Sequence, residues 1–94
     1  MARWVVLCCA LYASFSVQSC TKSPSDQANQ LESRGDGYVQ QDKFREAMIE
    51  YKNAVRAAPD NPALHWKLAK AALKGGDPST AYLALGQVVQ LEPF

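Results

Sequence analysis

Ninety-four residues leave room for one small domain. Ten Lys+Arg against nine Asp+Glu give a net charge of +1, so the basic excess expected of a nucleic-acid module is missing. The three cysteines, Cys8, Cys9 and Cys20, all fall in the first 20 residues, which leaves no cysteines for a disulfide framework or metal site beyond them.

Hydrophobicity is concentrated at the start. Residues 1–19 hold 14 apolar side chains, while residues 20–94 have the composition of an ordinary polar-surfaced domain. Arg3 precedes an uncharged run from Trp4 to Val17. As a helix this run would reach about 21 Å, short of the ~30 Å hydrocarbon core of a bilayer. A basic start, an apolar middle and small residues at the end have the layout of a cleavable secretory signal over 1–19. The run Val17-Gln18-Ser19-Cys20 resembles the lipobox of bacterial lipoproteins. That resemblance implies that Cys20 takes a diacylglyceryl group through its thiolate and becomes the first residue of the mature chain. With more than one acyl chain, anchoring to the membrane is stable. Thr21 follows Cys20 where an inner-membrane retention signal would place Asp, so the resemblance points to the periplasmic face of the outer membrane. Residues 20–27 are then lipidated cysteine and tether.

Four helices and no strands are expected after the tether. The first covers about 27–41, with Leu31, Gly35 and Tyr38 on one stripe and Ser23 or Ser25 as its cap. In the second, over 44–57, Phe44, Ala47, Met48, Tyr51, Ala54 and Val55 recur at three- and four-residue spacings, with Asp42 as the expected cap. Asn61-Pro62 caps and opens a third helix that runs to Lys74, and Gly75-Gly76 ends it. Asp77-Pro78 repeats the cap-plus-proline device ahead of a fourth helix, over 79 to about 91.

Pairs 34 residues apart keep their character: Gly35 and Ala69, Ala47 and Ala81, Tyr51 and Leu85, Ala54 and Val88, Pro59 and Pro93. Two helices per 34-residue unit resemble the tetratricopeptide repeat. Leu31, Gly35, Tyr38, Ala47, Tyr51, Ala54 and Pro59 occupy its signature positions in residues 28–61. Leu68, Ala69, Ala72, Ala81, Leu85, Val88 and Pro93 do so in residues 62–94. Arg34 and His65 depart from the usual apolar residues, and Ala72 is smaller than the usual Tyr. The expected fold is therefore an all-α solenoid of two such units behind a signal peptide. The small residues let paired helices approach closely, and Tyr38, Tyr51 and Leu85 fill the space between successive helices. A lipobox followed closely by repeats is similar to the start of the tetratricopeptide lipoproteins associated with exosortase (PEP-CTERM) and exopolysaccharide systems. Pilotin-like lipoproteins of type IV pili and the docking stub of a larger envelope enzyme are the alternatives.

Nothing in the chain assembles catalytic or metal-binding chemistry, and no cofactor is implied. His65 is read as a packed side chain, Glu46 and Glu50 as a solvated face, and Asp42, Asp60 and Asp77 as caps or turn formers. The resemblance implies a groove lined by the first helix of each repeat. Carried over, that lining is Asn29, Glu32, Asp36, Val39 and Gln40, then Ala63, Trp66, Lys70, Leu73 and Lys74. The first set is acidic and the second basic with an aromatic, which suits a protein or peptide ligand with Trp66 as an anchor. The lysine–asparagine clamp for C-terminal carboxylates is absent. Residues 78–91 carry no charge and are apolar most of the way round. A terminal repeat usually has a polar face, so an incomplete array or self-association through the 79–91 helix is expected.

Overall fold

A computed structural model describes residues 23–92, so the signal segment 1–19, Cys20, the first part of the tether and the Pro93 signature position lie outside the described residues. Four α-helices make up the described chain: α1 (Pro24–Gln40), α2 (Phe44–Ala57), α3 (Pro62–Lys74) and α4 (Pro78–Leu91). No strand occurs among the described residues. The helices pack as two hairpins, α1 on α2 and α3 on α4, and α3 packs against α2 to join them.

The first helix begins at Pro24, three residues before the expected start, so the end of the expected tether is helical. Ser23 is the N-cap, its hydroxyl accepting from the Asp26 amide at 3.3 Å, and Pro24 takes the first helical position. This is the same cap-plus-proline device that opens α3, where Asn61 Oδ1 accepts from the Ala63 amide at 3.0 Å. It recurs at α4, where Asp77 accepts from both the amide and the hydroxyl of Thr80, at 3.1 and 2.6 Å. Those two Thr80 donors, the hydroxyl foremost, hold the Asp77 carboxyl below the usual carboxylate range. Proline costs nothing at such positions, since its missing N–H would find no partner in the first turn.

At α2 the structure corrects the sequence reading. The cap position belongs to Lys43, which makes no side-chain capping bond, and Asp42 instead adopts a left-handed backbone at φ 59°.

Small side chains carry the core. Ala47, Ala54, Ala69 and Ala72 are fully buried, as is Leu64. One cluster gathers Ala47, Tyr51, Leu68, Ala69, Ala71 and Ala84, flanked by Tyr38, Val39, Met48, Val55 and Leu85. A second gathers Ala28, Ala54 and Leu64 at the other end of the same helices. Gly35 has the tightest requirement. A Cβ there would overlap the Tyr51 ring, so the α1–α2 approach depends on its absence. His65 is buried, with Nε2 2.8 Å from the Pro59 carbonyl oxygen. A carbonyl only accepts, so Nε2 carries the proton and the imidazole ties α3 to the turn before it.

Candidate functional site

Side chains from the first three helices surround a cleft of about 160 Å³. Asp36 and Val39 come from α1, Phe44 and Tyr51 from α2, and Lys67, Lys70, Ala71 and Lys74 from α3. Lys67, Lys70 and Lys74 recur at three- and four-residue spacing, which aligns them along one helical face. Asp36 and Val39 do the same on α1.

One end of the cleft is locked by a charge network. Lys67 Nζ lies 2.6 Å from Glu32 Oε1 and 3.0 Å from each Asp36 carboxylate oxygen. The Tyr51 hydroxyl donates to Asp36 Oδ1 at 2.6 Å. Partial burial pulls the Asp36 carboxyl upward, but the Tyr51 and Lys67 hydrogen bonds outweigh it and hold the group below its ordinary value. Burial lowers Lys67, yet its bonds to Glu32 and Asp36 win and raise it. For Tyr51, burial and the Asp36 carboxylate act together to push the phenol up. The network therefore holds two carboxylates, one ammonium and a neutral phenol at neutral pH. It ties α1, α2 and α3 together, and the one ammonium offsets one of the two negative charges that Glu32 and Asp36 bring.

The other end has a different character. Lys74 Nζ sits 5.3 Å from the centroid of the Phe44 ring, a cation–π arrangement. Lys70 is exposed and near enough to Asp36 to contribute to its lowered pKa. Here the cleft offers positive charge beside the apolar surface of Phe44, Val39 and Ala71.

Of the residues expected to line the groove, the structure brings Asp36, Val39, Lys70 and Lys74 to one cleft, and Glu32 joins through Lys67. Asn29, Gln40 and Ala63 are exposed outside its lining. Trp66 and Leu73 are exposed too and also lie outside it, because their positions on α3 are turned roughly 100° away from Lys67. Lys67 and Tyr51 were missed as site residues. The usable signal was the match between two acids on α1 and a lysine on the aligned face of α3. Glu46 is exposed as expected, whereas Glu50 is half-buried and its Oε2 is shielded from solvent without a hydrogen-bond partner.

No group of His, Cys, Asp and Glu that could hold a metal occurs among the described residues. No described helix is long and apolar enough to cross a membrane.

A family model described as TPR repeat matches residues 35–76, which run from Gly35 in α1 through α2 and α3 to Gly76. No curated protein and no solved structure matches the chain. The match and the helical hairpins together support a tetratricopeptide-repeat protein, a class of modules that typically bind other proteins and are not catalytic.

Proposed function

We propose that this chain is an interaction scaffold of the bacterial cell envelope, held by lipidated Cys20 at the periplasmic face of the outer membrane. It presents the α1–α3 cleft to a peptide segment of a partner. The observation that carries the binding reading is the unequal cleft. Lys67 offsets one of the two charges of Glu32 and Asp36, and Lys70 and Lys74 beside Phe44 leave the cleft net positive at that end. A short peptide pairing a carboxylate with an apolar side chain fits that surface by charge and by burial on Phe44. The lipobox resemblance at 17–20 supports the anchoring, and the resemblance to exosortase-associated lipoproteins supports a place in protein sorting, secretion or exopolysaccharide assembly.

Binding is tested on an array of decapeptides probed with the full chain. Acidic peptides with one aromatic or aliphatic residue should be retained over their basic counterparts, and Lys74→Glu should erase that preference. Equal retention of basic peptides sinks the cleft reading. Anchoring is tested separately by incorporation of labelled palmitate in a bacterial host. The label should appear in the native chain and vanish in Cys20→Ala; label that persists in Cys20→Ala rejects the lipoprotein assignment.

A further inference from the structure

Within the first repeat, α1 and α2 form a seat on which α3 rests. Val39, Met48 and Val55 are half-buried in it, packed on the cluster that contains Leu68 and Ala71 of α3, and Glu32 and Asp36 receive Lys67. A shift of 34 residues carries each of these seat positions onto the second repeat. Val39 becomes Leu73, Met48 becomes Tyr82, Val55 becomes Val89, Glu32 becomes Trp66 and Asp36 becomes Lys70. The shifted residues stand open: Leu73 is 59% exposed, Tyr82 79%, Val89 57% and Trp66 49%. Four of the five large exposed apolar side chains of α3 and α4 are therefore register positions of a second helix seat; the fifth, Leu83, matches Ile49, which is exposed in the first repeat as well.

The occupant's chemistry follows from what changes between the seats. The shape-bearing positions stay apolar, so the incoming helix needs a small and aliphatic stripe like Leu64, Leu68 and Ala71 of α3. Its charge is inverted, because the two carboxylates that hold Lys67 are replaced by an indole and an ammonium. The same shift argues against head-to-tail stacking of copies. The positions of α1 equivalent to Leu64, Lys67, Leu68 and Ala71 are Gln30, Ser33, Arg34 and Gly37, which carry no aliphatic stripe. We infer that the α3–α4 face is a docking seat for an amphipathic helix of a partner protein, one that places an acidic side chain against Lys70 where α3 carries Lys67. This is helix-in-groove recognition. It is separate from the cleft reading: the seat and the cleft lie on different sides of α3 and share only Lys70 at their common edge, so either can fail alone.

The test uses the full chain and two fluorescent, helix-stapled peptides that copy residues 61–75, one unaltered and one carrying Lys67→Glu. By anisotropy, the glutamate peptide should bind about two- to fivefold more tightly than the lysine peptide, the range of an exposed ion pair. Lys70→Glu in the chain should reverse the order and Lys70→Gln should abolish the preference. Tyr82→Asp should weaken both peptides by about tenfold or more, and Lys74→Glu on the cleft side should leave the preference intact. Circular dichroism of each variant separates loss of binding from loss of fold. The inference is overturned if neither peptide binds, or if folded Lys70→Glu chain keeps the original preference. It is equally overturned if the chain sediments as a dimer that Tyr82→Asp dissolves and neither peptide displaces, since the occupant is then a second copy.

Discussion

The turns at 41–43 and 75–77 lie one repeat apart and close the same pair of hydrogen bonds. Lys43 N–H donates to the Tyr38 carbonyl and Asp42 N–H to that of Val39; Asp77 N–H donates to Ala72 and Gly76 N–H to Leu73. Both are Schellman ends, and both put their second residue in the left-handed region, Asp42 at φ 59° and Gly76 at φ 81°. The side chains differ. Gly76 takes that conformation without a Cβ clash and Asp77 then caps the next helix, whereas Asp42 is strained and Lys43 caps nothing. Between the helices the contrast runs the other way. The first repeat closes its own hairpin through a Gly35–Tyr51 close approach and holds its neighbour through a polar network, and the second offers apolar side chains. Equal backbones thus rest on different chemistry, with the first repeat weaker at its turn and more specific at its packing.

The largest effect expected from breaking this contrast is at Gly35. Gly35→Ala drives a Cβ into the Tyr51 ring and should cost about 2 kcal/mol in urea unfolding. The second repeat uses Ala69 with Leu85 at the corresponding positions. Adding Tyr51→Leu to Gly35→Ala should therefore be less damaging than the sum of the two changes by about 1 kcal/mol or more. Strict additivity would show that the ring and the glycine do not set the approach.

Next is the polar network. Asp36→Ala removes the shared acceptor of Tyr51 and Lys67 and should cost about 1 kcal/mol, kept small because the carboxylate is partly wetted. The folded state holds this carboxyl below its ordinary 3.8, so its stabilisation is present above about pH 4 and fades as pH falls through the lowered value. The variant should show a shallower loss of stability on acidification than the native chain.

The turns supply the smaller effects. Asp42→Gly should stabilise by about 1 kcal/mol and Gly76→Asp should destabilise by a similar amount, both measured at neutral pH. Lys43→Asp, which copies the Asp77 cap onto α2, should add about 0.5 kcal/mol. If Lys43→Asp is neutral, the cap bonds at Asp77 contribute little, and the second turn owes its advantage to glycine alone.

Helix identity was legible in the sequence because its signals are local. Asn61-Pro62 and Asp77-Pro78 cap and open helices with atoms within three residues, and the apolar spacing of Phe44, Ala47, Met48 and Tyr51 marks a buried face. Ser23-Pro24 carried the same signal one helix earlier. Asp42 misled for a local reason as well: aspartate suits both a cap and a left-handed helix end, and one residue of register separates the two. The groove was legible as a set of positions but not as a site, since facing α1 and α3 correctly needs the crossing geometry of two helices. A rotation of one residue on α3 exchanges Trp66 for Lys67.

The amino-acid order by itself determined four helices, the caps of all but α2, the 34-residue period and the small residues at which paired helices touch, because each depends on contacts a few residues apart or on a repeated pattern. Only the tertiary structure decided that Lys67 bridges Glu32 and Asp36, that Tyr51 donates to Asp36 across Gly35, and that Trp66 and Leu73 face away from the cleft. Those outcomes depend on which faces of helices distant in sequence meet, and that is set by packing the whole core at once.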